Sequence, residues 1–307
     1  MHRLIGKICF TLFMAAAAVA PSQVFAQSCT TSTAYYGVLM QVADLDGNGS
    51  LEAVCNGYSE IAVVTSNGTA TRYPISNVYW TQSVIDDIDG TPGAEVVLGQ
   101  APHLTVIRHY SRSKVSQYIG PNFTIAVGAV TDLDGQAGKE IPLESGSNLV
   151  IYGRNTILRT IWIASNNNWK VCTDIANCAS DMNGTTGAEL LIALPSEVKI
   201  YSMMSGALNS YWIGSQYATL TDGVRGFDGV AGNEVAMAQG GNGNLLILRP
   251  RAGYLQTISG GGTFGNSWTL VGYANLDGVA GDEIRIRSNT NNRIYRVYPH
   301  SGTVSAE

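Results

Sequence analysis

Apolar residues along this chain fall into short runs, alternating or continuous, and clusters of Gly, Asp, Asn and Ser separate them. After the leader no stretch keeps the three- and four-residue spacing of an amphipathic helix, so the pattern predicts strands throughout. The breaks recur. Asp44-Leu-Asp-Gly-Asn-Gly-Ser-Leu-Glu52 returns with variation at 87–95, 132–140, 181–189, 226–234 and 275–283, so successive copies start 43 to 49 residues apart. Such a period marks one supersecondary unit repeated along the chain.

Each copy carries the same signals in the same order. In five copies an aromatic opens a strand 7 to 9 residues ahead of the acidic loop: Tyr36, Trp80, Phe123, Tyr217 and Trp268. In the fourth, Trp169 stands 12 ahead. The loop always closes on Glu, and a second strand follows that is apolar in both phases, as in Ala53-Val54-Cys55, Val96-Val97-Leu98 and Leu190-Leu191-Ile192. A strand apolar on both faces belongs in a sheet packed on both sides. A third strand is expected at 61–65, 104–108, 149–152, 198–201 and 245–248. A fourth carries a recurring aromatic with Ile after it, as in Tyr73-Pro-Ile, Tyr118-Ile, Trp162-Ile and Trp212-Ile. Four short strands per unit predict an all-β fold, a β-propeller of about six four-stranded blades. A seventh blade stays open if 29–43 and 301–307 contribute more. A two-sheet sandwich is the weaker alternative, because it leaves one face of each strand polar.

The first 26 residues stand apart. His2, Arg3 and Lys7 precede a mostly apolar stretch at 8–20, and Val24-Phe25-Ala26 ends on a small residue, the layout of a secretory signal peptide cut before Gln27. The alternative, a membrane anchor, needs a longer apolar run. Residues 27–307 then form one repeat domain that is secreted, periplasmic or at the cell surface, with no membrane insertion after cleavage. Two of the 18 basic residues and none of the 23 acidic ones lie in the leader, so the remainder carries a net charge of −7. That balance argues against nucleic acid as a partner. Of the 23 acids, 16 sit inside the six loops, so the charge belongs to the repeat and not to a general solvated surface. Four cysteines remain after the leader, an even count in an exported chain. Cys172 and Cys178 are expected to staple an insertion in the fourth copy, and Cys29 and Cys55 to tie the N-terminal segment to the first. No Cys-x-x-Cys spacing supports zinc.

The nine-residue copies resemble the FG-GAP/VCBS-type repeats of exported bacterial propellers, related to the calcium-bearing blades of integrin α-subunits. The resemblance runs from about Asp44 to Glu307. It implies metal ligation by side chains at loop positions 1, 3, 5 and 9 and by the carbonyl at position 7, with Gly at 6. The first copy alone matches throughout: Asp44, Asp46, Asn48, Glu52, the Ser50 carbonyl and Gly49. Three carboxylates among these oxygens suit Ca²⁺, and without a cation they repel one another. The other copies carry Thr91, Gln136, Thr185, Val230 or Val279 at position 5 and move the Gly to position 7. Asp87/Asp89/Glu95 and Asp132/Asp134/Glu140 are therefore weaker metal candidates. There the leading Asp can instead accept loop N–H groups as an Asx-turn.

Catalytic signatures do not emerge. Gly-x-Ser-x-Gly, His-Glu-x-x-His and phosphate-loop patterns are missing, and His103, His109 and His300 are scattered. No catalytic residue is assigned. Glu144 and Lys170 are charges peculiar to their copies. Arg285 and Arg287 alternate with Ile284 and Ile286 where other copies are apolar, as an exposed edge or, second, a polar ligand face. Trp80, Trp169 and Trp268, with Phe123 and Tyr217, are either stacking platforms for sugar or wedges between blades. The resemblance implies non-enzymatic recognition of an extracellular carbohydrate or protein, with Ca²⁺ stabilising the first blade. A polysaccharide lyase or hydrolase on the same scaffold, or an envelope-associated scaffold, are the alternatives.

Overall fold

The computed structural model describes residues 29–30, 36–57, 59–75, 80–165, 167–171, 178–214, 216–261 and 263–307. The expected leader at 1–26 and Cys172 lie outside them. Each repeat folds as an antiparallel meander whose strand order in the sheet is its order in the chain. Blade 1 is β1 (Val38–Ala43), β2 (Glu52–Asn56), β3 (Glu60–Val64) and β4 (Ala70–Pro74). Blade 2 is β5 (Gln82–Asp86), β6 (Glu95–Gln100), β7 (His103–Arg108) and β8 (Ser113–Tyr118). Blade 3 is β9 (Thr124–Ile125), β10 (Ile141–Ser145), β11 (Asn148–Gly153) and β12 (Thr156–Trp162). In blade 4 the first strand is split into β13 (Lys170–Val171) and β14 (Ala179–Ser180), which pair at different points along β15 (Glu189–Ala193). The insertion in the fourth copy separates the two pieces. β16 (Glu197–Ser202) and β17 (Leu208–Trp212) complete that blade. Blade 5 is β18 (Tyr217–Arg225), β19 (Glu234–Gln239), β20 (Leu245–Arg249) and β21 (Tyr254–Ile258). Blade 6 is β22 (Trp268–Ala274), β23 (Glu283–Ser288), β24 (Ile294–Tyr298) and β25 (Thr303–Ala306). The chain is thus an all-β propeller of six four-stranded blades, with no seventh sheet among the described residues.

The doubly apolar second strands explain the packing. On β6, Val96 and Leu98 meet Val54, Ile61 and Val63 of blade 1, whereas Val97 turns to Ile125, Ile141 and Leu143 of blade 3. On β15, Leu190 and Ile192 face blade 3, and Leu191 faces Val235 and Met237 of blade 5. Ala236 of blade 5 packs in turn with Ile284 and Ile286 of blade 6. Each such side chain is worth roughly 1.5–3 kcal/mol on burial, so these boundaries hold the array together.

The acidic loops form a second contact line, numbered here loops 1 to 6 by blade. The N–H at position 8 of loops 2 to 6 donates to the position-1 carbonyl of the loop before it: Ala94 to Asp44 (2.8 Å), Lys139 to Asp87 (2.9 Å), Ala188 to Asp132 (2.9 Å), Asn233 to Asp181 (2.8 Å) and Asp282 to Gly226 (3.0 Å). This close approach explains why Gly occupies position 7 in loops 2 to 6. A Cβ on Gly93, Gly138, Gly187, Gly232 or Gly281 would sit 2.5–2.9 Å from the preceding loop's backbone. Loop 1 has Ser50 there and Gly49 at position 6, beside which a Cβ would meet nothing within 4 Å.

Among the described residues the staircase runs from loop 1 to loop 6. The position-2 side chains Leu45, Ile88, Leu133, Met182 and Phe227 are at most 1% exposed, but Leu276 of loop 6 is 39% exposed. The ends are finished differently. On blade 1, Ala53, Cys55, Ala62 and Val64 form an apolar cluster with Cys29, which is bonded to Cys55 with Cα atoms 5.6 Å apart. Cys178 is also disulfide-bonded and is buried. On blade 6 the face turned away from blade 5 presents Arg285 and Arg296, both paired with Glu307. The expectation of an exposed edge at Arg285 and Arg287 is corrected here. β23 lies inside its sheet, between β22 and β24, and it is the face of the sheet that is polar.

Candidate functional site

At the loop end, Asp44 accepts the N–H of Gly47 and of Gly49 (both 2.8 Å). Asp46 accepts Asn48 through its backbone N–H (3.2 Å) and side-chain amide (2.9 Å), and Asn48 Oδ1 accepts Ser50 N–H (2.7 Å). Glu52 is buried and its Oε2 accepts Leu45 N–H at 2.9 Å. Burial raises its pKa, with the charges of Asp46 and Asp44 adding to the shift and the Leu45 bond opposing it. Asp44, Asp46 and Glu52 each place an oxygen within 4.8 Å of the others.

What separates loop 1 from loops 2, 3 and 5 is the counter-charge. Arg108 lies against Asp89 (3.3 Å), Arg154 bridges Asp134 (2.5 Å) and Glu140 (3.3 Å), and Arg249 holds Asp228 (2.5 Å). A guanidinium built into the blade supplies the positive charge there. Among the described residues no Lys or Arg is ion-paired with Asp44, Asp46 or Glu52. In loop 4 the position-3 residue is Asn183, whose amide donates to Glu189 at 2.5 Å. Reading the loops in isolation missed these arginines. Their signal lay across the sheet, since Arg108 pairs in register with Glu95.

At the opposite end the aromatics meet the neighbouring blade. Trp169 donates its indole N–H to Gly146 of blade 3 (2.9 Å), Tyr217 its hydroxyl to Leu194 of blade 4 (2.8 Å), and Trp268 its indole N–H to Gly243 of blade 5 (2.7 Å). Trp80 and Phe123 pack against the clusters on either side of blade 2. Trp169 is only 3% exposed, while Trp80 and Trp268 are half-buried. Trp169, Tyr217 and Trp268 are thus latched to the neighbouring blade by a polar bond, while Trp169 and Trp268 also line clefts.

Glu144 and Lys170, isolated in the sequence, are brought together here. Lys170 Nζ lies 2.7 Å from Glu144 Oε2, and Glu144 Oε1 accepts the N–H of Val171 at 2.6 Å. They border a cleft of about 410 Å³ with Asn122, Phe123, Asn167 and Trp169. Neither Asn122 nor Asn167 had any signal in the sequence, because both sit in turns of ordinary composition. The histidines do not converge. His109 is buried with Nδ1 on the Tyr73 hydroxyl (2.9 Å), and burial lowers its pKa. His103 stands edge-on to the Tyr118 ring.

No protein-family model and no curated protein matches the chain. Among solved structures, it is similar to BBS1N from a complex with ARL6DN, at 10% identity and TM-score 0.41 over 89% of this chain and 82% of that one. It is similar to a streptogramin B lyase at 10% identity and TM-score 0.34, over 87% of this chain and 84% of the other. A third is PorZ, a surface component of the type-IX secretion system of Porphyromonas gingivalis, at 11% identity and TM-score 0.34 over 88% of this chain and 33% of that one. At such scores the architecture rests on the six sheets themselves. Among the described residues no helix is long and apolar enough to cross a membrane.

Proposed function

We propose that the chain is an exported propeller of the FG-GAP/VCBS type that recognises an extracellular glycan or protein, with Ca²⁺ held at loop 1. The observation that carries the recognition reading is the meeting of Glu144 and Lys170 in the cleft beside Asn122, Phe123 and Asn167. An ammonium, two side-chain amides and an aromatic edge around a concave surface suit a hydroxyl-rich or carboxylate-bearing ligand. Both Glu144 oxygens are engaged, one by Lys170 and one by Val171, which fits a carboxylate that positions the lysine better than one that shuttles protons.

The test is glycan-array binding by the native chain and by Lys170→Ala, with reducing-end assays on the bound polysaccharides. Binding without new reducing ends, weakened at least tenfold by Lys170→Ala, is expected. Product formation lost in Lys170→Ala would move the assignment to a polysaccharide-cleaving enzyme. Equal binding by both proteins would remove the cleft from consideration.

A further inference from the structure

Loop 6 departs from the calcium pattern, with Asn275 at position 1 and Val279 at position 5. It keeps two carboxylates, Asp277 and Glu283, and an imidazole comes to them from the turn after β24, on His300. Each of the three places a ligand atom within 4.8 Å of the others.

The other repeats act as internal controls. In all six loops, Oε2 of the closing Glu accepts the position-2 N–H. Where Oε1 has a partner in the inner loops, that partner lies at the position-3 side chain: Arg154, which also holds Asp134, in loop 3, and the amide of Asn183 in loop 4. In loop 6, position 3 is Asp277, and Glu283 Oε1 is fully buried without a hydrogen-bond partner. Leaving a carboxylate oxygen in that state is costly. Glu95 Oε1 is likewise unbonded, but there Arg108 supplies the opposite charge. Blade 6 has Tyr298 where blades 2 and 5 have Arg108 and Arg249. Asp277 Oδ1 is taken by Val279 N–H, and Oδ2 stands 3.8 Å from His300 Nε2, too far for a hydrogen bond.

We propose that Asp277, Glu283 and His300 bind a divalent first-row transition ion, Zn²⁺ in the first instance, at a site chemically distinct from the calcium loop. Two carboxylates balance the charge of the ion, and an imidazole nitrogen is a zinc ligand that a calcium site does not use. Metal–ligand distances of about 2.0–2.2 Å would draw the three donor atoms to roughly 3.4 Å apart. His300, on an exposed turn, can supply that movement.

The test is calorimetric titration of the full chain with Zn²⁺, in about 1 mM Ca²⁺ so that loop 1 is occupied. Native protein, Asp46→Ala, His300→Ala and Asp277→Asn are compared, each first shown to be folded by circular dichroism. The native chain and Asp46→Ala should each bind one Zn²⁺. His300→Ala and Asp277→Asn should lose at least about tenfold in affinity, since even second-shell changes cost that much. Absence of Zn²⁺ binding by the native chain, or equal binding by native and His300→Ala proteins, would overturn the site.

Discussion

The residue that carries most of the local physics is the Glu closing each loop. It is buried in every blade, so its charge is a liability that each blade handles in its own way. In loops 2, 3 and 5 an arginine stands by, yet burial still lifts Glu95, Glu140 and Glu234 to a pKa of about 7. In the unfolded chain these groups titrate near 4.5. The folded protein therefore binds protons more tightly between those values, and stability should fall as pH rises from about 4.5 to 7. Asp134 acts in the opposite sense. Its bond to Arg154 lowers its pKa, so its contribution is present above 3.8 and is lost in stronger acid. With EDTA present, the melting temperature should be higher at pH 5.5 than at pH 8, and Glu234→Gln should flatten that slope. A flat profile in the native chain would show that these carboxyls do not control stability.

At the scale of the element, the loop and the strand after it were legible because each obeys a local rule. An acid-rich turn must satisfy its own N–H groups, and a strand buried on both faces must be apolar in both phases. The shift of Gly from position 6 to position 7 was visible too, but it read as erosion of a metal motif. Its cause is the approach of one loop to the next, a contact between residues some 45 apart in sequence that no single loop displays. Gly90 and Gly278 isolate that contact. Both occupy position 4, with φ of +76° and +77°. A Cβ at Gly90 would lie 2.6 Å from Ala137 O, whereas at Gly278 it would meet nothing within 4 Å. Gly278→Ala should cost about 1–2 kcal/mol, the strain of a left-handed residue alone. Gly90→Ala should cost more than twice that in urea unfolding. Equal losses would mean that the loops do not support one another.

For the whole molecule, blade number and strand order followed from the repeat, but the meeting of Glu144 with Lys170 did not. Those residues are 26 apart and belong to different blades, so only the angle between sheets brings them to one cleft. The arginine counter-charges likewise came from the ends of β7 and β20 and the turn after β11, none of which the loop motif includes. Together they sharpen the calcium reading. At about 1 mM Ca²⁺ and a site Kd of about 0.1 mM, loop 1 should add roughly 1.4 kcal/mol of stability, seen as a rise in melting temperature. Asp46→Ala should abolish that rise, while Asp89→Ala should leave it intact. Retention of the full shift in Asp46→Ala would place the ion elsewhere. The charged face of blade 6 has a consequence of another kind. On the face of blade 6 turned away from blade 5, two guanidinium groups and a carboxylate stand where the inner blade faces present apolar side chains, so that face is ill suited to dry sheet-on-sheet packing with a second copy of the chain.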